Sequence, residues 1–146
     1  MFLGHFSHKL DDKGRLSIPA KFREVLGNGA YLTQGFDRNL RLLTEDEFQK
    51  LKNFVNGMNQ ADPKTRKLRR FLFANASRVE FDRNGRIMVV KFLQDFAGIV
   101  NNGHAVIVGV GDEIEVWSPE SWAEEQELLN DVEANAQQFS DLDLSI

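Results

Sequence analysis

The chain has no cysteine, which excludes disulfides, thiol nucleophiles and thiolate metal sites in one step and fits a reducing cytoplasm. Nowhere is there an apolar run near the roughly 18 residues that a membrane span needs. The opening stretch, MFLGHFSHKL, lacks the basic start and long apolar middle of a signal peptide. A soluble cytoplasmic protein is therefore expected. Basic residues are absent from the last part of the chain. Residues 1–111 hold all 18 Lys and Arg with 11 acids, whereas residues 112–146 hold 11 acids and no base. The net charge of −4 thus averages a cationic body and an acidic tail. That polarity fits a polyanion-binding body, and it equally fits a solvated acidic helix beside an ordinary surface. Tyr and Trp are scarce, at one and two residues against twelve Phe. Phe fills a core without needing a hydrogen-bond partner, so most of the twelve are read as packing.

What is present is an ordinary globular composition, 42% hydrophobic and 27% charged over 146 residues. This suits one compact domain, or two very small ones sharing a core. The chain also repeats itself. KLDDKGRLSIP at residues 9–19 returns as EFDRNGRIMVV at residues 80–90. Aligning the copies sets Gly14 on Gly85, Arg15 on Arg86, Leu16 on Ile87, Phe22 on Leu93 and Gly27 on Gly98. After a longer loop in the second copy, Gly35 falls on Gly109, Leu42 on Val116 and Phe48 on Trp122. Duplication explains this most simply.

Each copy reads as strand, charged turn, strand, short helix, two strands and a longer helix. The first long helix opens at Thr44 with Glu47 three residues on, and Phe48, Leu51, Val55 and Met58 form its apolar stripe. Ser118 and Pro119 open the second, with Trp122, Leu129, Val132 and Ala136 on one face. Asp62-Pro63 begins a linking helix that carries Lys64, Arg66, Lys67, Arg69 and Arg70. These cations could track phosphate, pair with the acidic helix of a neighbouring subunit, or stay solvated; the inter-subunit role is favoured. The final SDLDLSI is expected to fray. The expected units are residues 1–60, a linking basic helix 61–77, and residues 78–146 with the acidic C-terminal helix. Two sets of four short strands, completing each other, suggest one interleaved barrel with helices outside.

In DDKG and DRNG, Asp suits the first position of a type I turn and Gly the fourth, where a positive φ closes a hairpin with a bulge. Asp11, Gly14, Asp82 and Gly85 therefore have a sufficient backbone reason to exist. Arg15 and Arg86 do not, because such a turn needs no cation at the next position. Each Arg either pairs with its Asp or, pre-oriented by it, donates two bonds to a guanine edge from a two-stranded ribbon set in a DNA groove. Lys13 and Arg83 at the tips would then contact phosphate.

The pattern DxxGR followed by LSIPAKFRE, duplicated in one chain, resembles the MraZ family of bacterial regulators. MFLGHF at the start, RKLRRFLF in the middle and IEVWSPESW near the end agree, over roughly residues 1–135. The resemblance implies an α+β fold, mainly β, of tandem AbrB-like units. These would form an intrachain swapped-hairpin (double-split) β-barrel with peripheral helices. It further implies a nucleoid-associated regulator, assembled as a ring with an octamer favoured. Such a regulator binds double-stranded DNA at short repeats upstream of the division and cell-wall genes, its own promoter included. DNA binding falls to the loops Asp11–Arg15 and Asp82–Arg86. Copy two departs from the pattern: Val90, Lys91 and Gln94 replace Pro19, Ala20 and Arg23, and the tips Asp12-Lys13 and Arg83-Asn84 differ. An alternative is an antitoxin-like protein-interaction module that uses its acidic C-terminal helix.

No enzyme signal survives. GVGDEI at 109–114 lacks the third Gly of a dinucleotide loop. His5 and His8 point to opposite faces of a strand, His104 stands alone, and no Ser has a His and Asp constellation. Catalytic residues, metal ligands, cofactors, small-molecule substrates and membrane partners are accordingly not expected.

Overall fold

The computed structural model describes residues 1–144; Ser145 and Ile146, the end of the stretch expected to fray, lie outside the described residues. The first half runs β1 (Phe2–Lys9), β2 (Arg15–Ser17), α1 (Ala20–Leu26), β3 (Ala30–Gln34), β4 (Leu40–Thr44) and α2 (Glu45–Asn56). A linker follows, α3 (Pro63–Arg69) running into a π-helical turn at Arg70–Ala74. The series then returns as β5 (Ser77–Val79), β6 (Arg86–Met88), α4 (Lys91–Ala97), β7 (His104–Gly111), β8 (Ile114–Trp117) and α5 (Pro119–Leu129), closed by α6 (Val132–Gln138).

Local chemistry starts the helices where the sequence signals them. Thr44 Oγ1 accepts from the Glu47 N–H at 3.1 Å, Asp62 from Lys64 at 2.9 Å and Ser118 from Ser121 at 3.1 Å. Three acids in the first turn of α2 face the positive end of its dipole. Of the α2 stripe, Val55 is fully buried, and Met58 lies beyond the helix end. The expected continuous C-terminal helix is broken. Asn130 ends α5, and Asp131 caps α6 by accepting from Ala134 at 3.0 Å. Leu129 and Val132 therefore share no continuous face; both are exposed, and neither helix has a buried residue.

Every strand pair is antiparallel, and the two halves are sewn together strand by strand. Six strands form one sheet in the order β1-β7-β8-β4-β3-β5. This order is symmetric about the β8–β4 seam: each half contributes a hairpin to the centre, and its first strand pairs on the hairpin of the other half. The remaining strands, β2 and β6, pair only with each other. A pseudo-two-fold axis passes through the Leu16–Ile87 pair of that ribbon and the Arg41–Glu115 pair of the seam. In two identical copies the seam would set like charges against each other. The fused chain has Arg on one side and Glu on the other, and Arg41 also grips Glu113 through two bonds of 2.7 and 2.8 Å.

Two expectations are corrected here. Hydrogen bonding does not close into a single barrel; it makes an open six-stranded sheet and a separate two-stranded ribbon. The reason is length and direction. β2 and β6 have three residues each, and β1 meets β2 only at the Leu10–Leu16 bridge before the chain turns away. The alignment of β3 with β7 also shifts by one, while β4 and β8 keep Leu42 on Val116. Ala30 pairs with Val79 just as Ala105 pairs with His8, so Ala30 corresponds to Ala105 and Gly35 to Val110 rather than to Gly109. The stretch from Gly98 to Ala105 is four residues longer than that from Gly27 to Ala30, and the β7–β8 turn is one residue shorter than the β3–β4 turn, so only the net difference of three shows in an alignment without a gap in the hairpin. Gly109 instead answers a local need. A Cβ there would lie 2.4 Å from the Phe2 carbonyl carbon in the neighbouring strand.

The core fills the space between ribbon and sheet. Leu10, Leu16, Ile18, Phe22, Ile87, Val89 and Leu93 meet Leu32, Leu42, Ile107 and Val116 there. Phe22 receives Phe2 and Phe6 edge-on at 5.3 and 5.5 Å. The packing expectation for Phe holds only in part: Phe2 and Phe22 are fully buried, whereas Phe36, Phe54 and Phe92 are exposed.

Candidate functional site

Both charged turns adopt the geometry their residues favour. Gly14 N–H donates to the Asp11 carbonyl at 3.2 Å, and Gly85 N–H to Asp82 at 3.0 Å. The glycines have φ of +82° and +73°, the left-handed region that closes a turn of this kind. In the first turn Asp11 Oδ1 accepts the backbone N–H groups of Lys13 (2.9 Å) and Arg15 (2.8 Å), and Oδ2 accepts Arg15 Nε at 2.5 Å. In the second, Asp82 Oδ1 accepts from Asn84 (2.9 Å) and Arg86 (3.0 Å), and Oδ2 from Arg86 Nε at 2.9 Å. Each Asp thus builds the turn with one oxygen and holds the guanidinium with the other.

The expected ribbon exists, but its strands come from different halves. β2 is not the return arm of a hairpin with β1; it pairs with β6, setting Arg15 opposite Met88 and Ser17 opposite Arg86. Side chains alternate across a strand, so these four residues share one face while Leu16 and Ile87 point into the core. The turns lock each other further. Ile18 N–H donates to Gly85 O at 3.1 Å and Val89 N–H to Gly14 O at 2.9 Å. Arg86 Nη1 also reaches across to Asp11 Oδ2 at 3.2 Å. Around this junction lies a shallow cleft of about 340 Å³, lined by Lys9, Asp11, Arg15, Ser17, Arg86 and Asn102. Lys13 and Arg83, at the tips, are exposed.

Beneath each turn lies a residue whose role sequence reasoning missed. Arg23 Nη1 donates to Ile18 O at 2.7 Å, and its counterpart Gln94 donates to Val89 O at 2.7 Å. Each fills the space that a Cβ on the opposite turn's glycine would need, Arg23 below Gly85 and Gln94 below Gly14. The change from Arg to Gln therefore keeps the donor and loses only the charge. Among the described residues, the first turn alone is braced from a third side. Asn101 donates to Asp12 O at 3.1 Å and Asn102 N–H to Asp11 O at 3.3 Å, both from the longer loop of the second copy.

Electrostatics follow the same contacts. The Asp11 pKa falls from 3.8 to about 2, first because the Arg15 backbone N–H bonds the charged form, with the Arg15 side chain adding to it. Asp82 is likewise lowered, led by the Arg86 backbone N–H. A carboxylate with a depressed pKa stabilises the folded state above its unfolded value and loses that contribution as pH falls through the folded one. The first turn should therefore stay ionised at pH 4 and loosen toward pH 2, with the Asp11 carboxyl carbon titrating near 2 by NMR. A midpoint near 3.8 would mean that the turn bonds are not formed in solution.

The other candidates separate from this site. Among the basic linker residues, Arg66 Nη1 donates to the Gln60 and Ala61 carbonyls at 3.2 and 2.8 Å, and Arg69 Nη1 to Gln60 Oε1 at 3.0 Å. Two of the five cations thus close the preceding turn. GVGDEI forms the β7–β8 turn, and His5 packs its ring 5.5 Å from Trp122. Among the described residues no His, Asp and Glu gather as a metal site, and no helix is long and apolar enough to cross a membrane.

A family model, described as "MraZ protein, putative antitoxin-like", matches the chain twice, over residues 1–71 and 72–142. The chain belongs to the MraZ family. The two MraZ matches meet inside the π-helical turn of the linker. Proteins named "Transcriptional regulator MraZ" resemble it over most of their length. That of Thermomicrobium roseum is 48% identical over 129 residues, covering 88% of this chain and 89% of the relative. That of Roseiflexus castenholzii is 40% identical, covering 96% and 94%. That of Leuconostoc mesenteroides is 39% identical, covering 99% and 100%.

Proposed function

We propose that this chain is a transcriptional regulator that binds double-stranded DNA sequence-specifically, at repeated sites upstream of the division and cell-wall genes and of its own gene. Its relatives' names support regulation. The observation that carries DNA binding is the placement of Arg15 and Arg86 on one outward face of a single ribbon, each held through Nε by an Asp. Three residues at roughly 3.4 Å each span about 10 Å. The major groove, about 12 Å wide, accepts a two-stranded ribbon, and an Arg presenting two N–H groups matches guanine O6 and N7. In this reading Lys13 and Arg83 contact phosphate, and the protein works at the nucleoid in the cytoplasm, with no cofactor and no catalysis. Residues 1–60 and 78–146 act as the two AbrB-like repeats of a swapped-hairpin arrangement, joined by the basic helix 61–77.

Phosphate and base contacts are separable by salt. Lys13→Ala and Arg83→Ala should weaken binding to upstream and scrambled duplexes alike, and each should lower the slope of log K against log salt by about 0.9. Anisotropy titrations at several salt concentrations read both. A changed base preference with an unchanged slope would overturn the phosphate assignment.

Assembly into a ring, octameric by family resemblance, belongs to the same proposal. Helix α5 packs Trp122 on Trp117, but neither α5 nor α6 has a fully buried residue; both carry acids without bases and expose Leu128, Leu129 and Val132. Near α2, by contrast, Lys52, Arg69 and Arg78 surround Tyr31, Phe48 and Phe73. Acidic helix on basic groove is a heterologous contact, the kind that builds rings. A chain ending at Gln126 should sediment as a smaller species and keep weak DNA binding. An unchanged assembly, with loss of a co-purifying protein, would instead favour the antitoxin-like reading suggested by the family's description.

A further inference from the structure

The two turns are equivalent by duplication but not by contact. Asp82 Oδ2 holds one guanidinium, that of Arg86. Asp11 Oδ2 holds two: Arg15 through Nε at 2.5 Å and, from the other copy, Arg86 through Nη1 at 3.2 Å. Among the described residues, neither terminal nitrogen of Arg15 has a hydrogen-bond partner, whereas Arg86 has committed one of its two. The neighbours on the ribbon face differ as well. Arg15 lies opposite apolar Met88, and Arg86 lies opposite Ser17. Loop 100–103 braces the first turn, and no hydrogen bond from the shorter loop 27–29 reaches the second.

We infer that Asp11 is the positioning residue for both guanidiniums, and that the chain therefore reads DNA with two unlike heads. This rests on the DNA-binding reading above. The chemistry behind it is a count of donors. A guanine edge offers two acceptors, O6 and N7, and a bidentate contact needs two N–H groups on adjacent nitrogens pointing outward. Arg15, anchored only at Nε, offers Nη1 and Nη2 together. Arg86, anchored at Nε and Nη1, keeps one N–H on Nη1 and both on Nη2, and the bond to Asp11 fixes its plane, so it can align with a guanine edge less freely than Arg15 while that bond persists. A base pair under Arg15 is thus selected more strictly than one under Arg86. A protein with near two-fold symmetry in its backbone would then recognise a site without two-fold symmetry, and bind it in one direction.

Asp11→Asn tests the idea cleanly. Oδ1 can still accept the N–H groups of Lys13 and Arg15, so the turn survives, while the amide that replaces Oδ2 donates and cannot hold a guanidinium. Asp82→Asn is the matched control, since among the described residues Asp82 Oδ2 holds only its own Arg. Two measurements decide. In the free protein, the Nε–H signal of Arg15 and the Nη–H signals of Arg86 should move in Asp11→Asn, whereas Asp82→Asn should move the Nε–H signal of Arg86 and leave Arg15 unmoved. On a duplex from the gene's upstream region, Asp11→Asn should reduce affinity about tenfold or more, and flatten base preference at the strictly read position. Asp82→Asn should cost about threefold and leave that position unchanged. In double-mutant cycles the effects of Asp11→Asn and Arg86→Ala should fail to multiply, and those of Asp82→Asn and Arg15→Ala should multiply within about twofold.

An Arg86 signal unmoved by Asp11→Asn, or a multiplicative Asp11–Arg86 cycle, would overturn the shared anchor. If the wild-type protein binds upstream and scrambled duplexes equally, the DNA reading fails. The free-protein signals would still decide whether Asp11 positions both side chains.

Discussion

Arg15→Ala should cost about 1–3 kcal/mol of binding to the upstream duplex, roughly a 5- to 150-fold loss, together with relaxed sequence preference. The size follows from what is removed. The Arg15 side chain is about one-third exposed, its Nε is tied to Asp11, and its terminal nitrogens have no hydrogen-bond partner among the described residues. On the proposed reading, losing it deletes a guanine contact without disturbing a core position, because Leu16 and Ile87 beneath it are untouched. Arg15→Lys should rescue little, since an ammonium is a point charge and does not reproduce a planar two-donor fork. If several chains engage neighbouring repeats, the loss per chain compounds and apparent affinity falls further than a single contact explains. Unchanged melting of the mutant protein would show that binding, not folding, was lost. Wild-type affinity in both Arg15→Ala and Arg86→Ala would rule out the ribbon as the DNA-reading element.

Gly14→Ala should destabilise the fold by about 2–4 kcal/mol, measured by urea unfolding. A positive φ such as the +82° here costs an L-residue about 1–2 kcal/mol. Crowding adds to it: a Cβ on Gly14 would lie 3.0 Å from Val89 O and 2.4 Å from Gln94 Nε2. Gln94 is flexible in principle, but its Nε2 is bonded to Val89 O at 2.7 Å, so moving it breaks a buried hydrogen bond. Gly98→Ala is the control. Gly98 has a φ of +69°, but its nearest neighbour is Ser118 Cβ at 3.9 Å, so about 1 kcal/mol is expected. Equal losses at the two sites would mean that the interlocked turns tolerate a methyl group and are looser than their contacts imply.

What the sequence could reveal divides along the range of the interactions. The turns were legible because Asp and Gly act within four residues of themselves, and the same holds for the caps at Thr44, Asp62 and Ser118. The duplication was legible because both turns kept their residues. The pairing of β2 with β6 was not, since three-residue strands carry too little pattern to name a partner seventy-one positions away. Gly35 and Gly109 looked equivalent because the one residue missing from the β7–β8 turn leaves no mark in the sequence and was absorbed into the loop before β7. Arg23 and Gln94 were matched by position, but their shared role went unrecognised because what they share is a donor to a backbone carbonyl, not a charge. The break between α5 and α6 did have a signal: Asn130-Asp131 is a stop followed by a cap, masked by apolar spacing that continues across it.

The most direct measurement is the binding ratio between the gene's own upstream duplex and a scrambled duplex across a salt series. Phosphate contacts make both affinities fall steeply as salt rises, while base contacts keep their ratio. If the ribbon reads bases, the upstream duplex should remain at least about tenfold tighter throughout, and Arg15→Ala should collapse that ratio toward one. Equal affinities for the two duplexes at every salt concentration would contradict sequence-specific reading by Arg15 and Arg86.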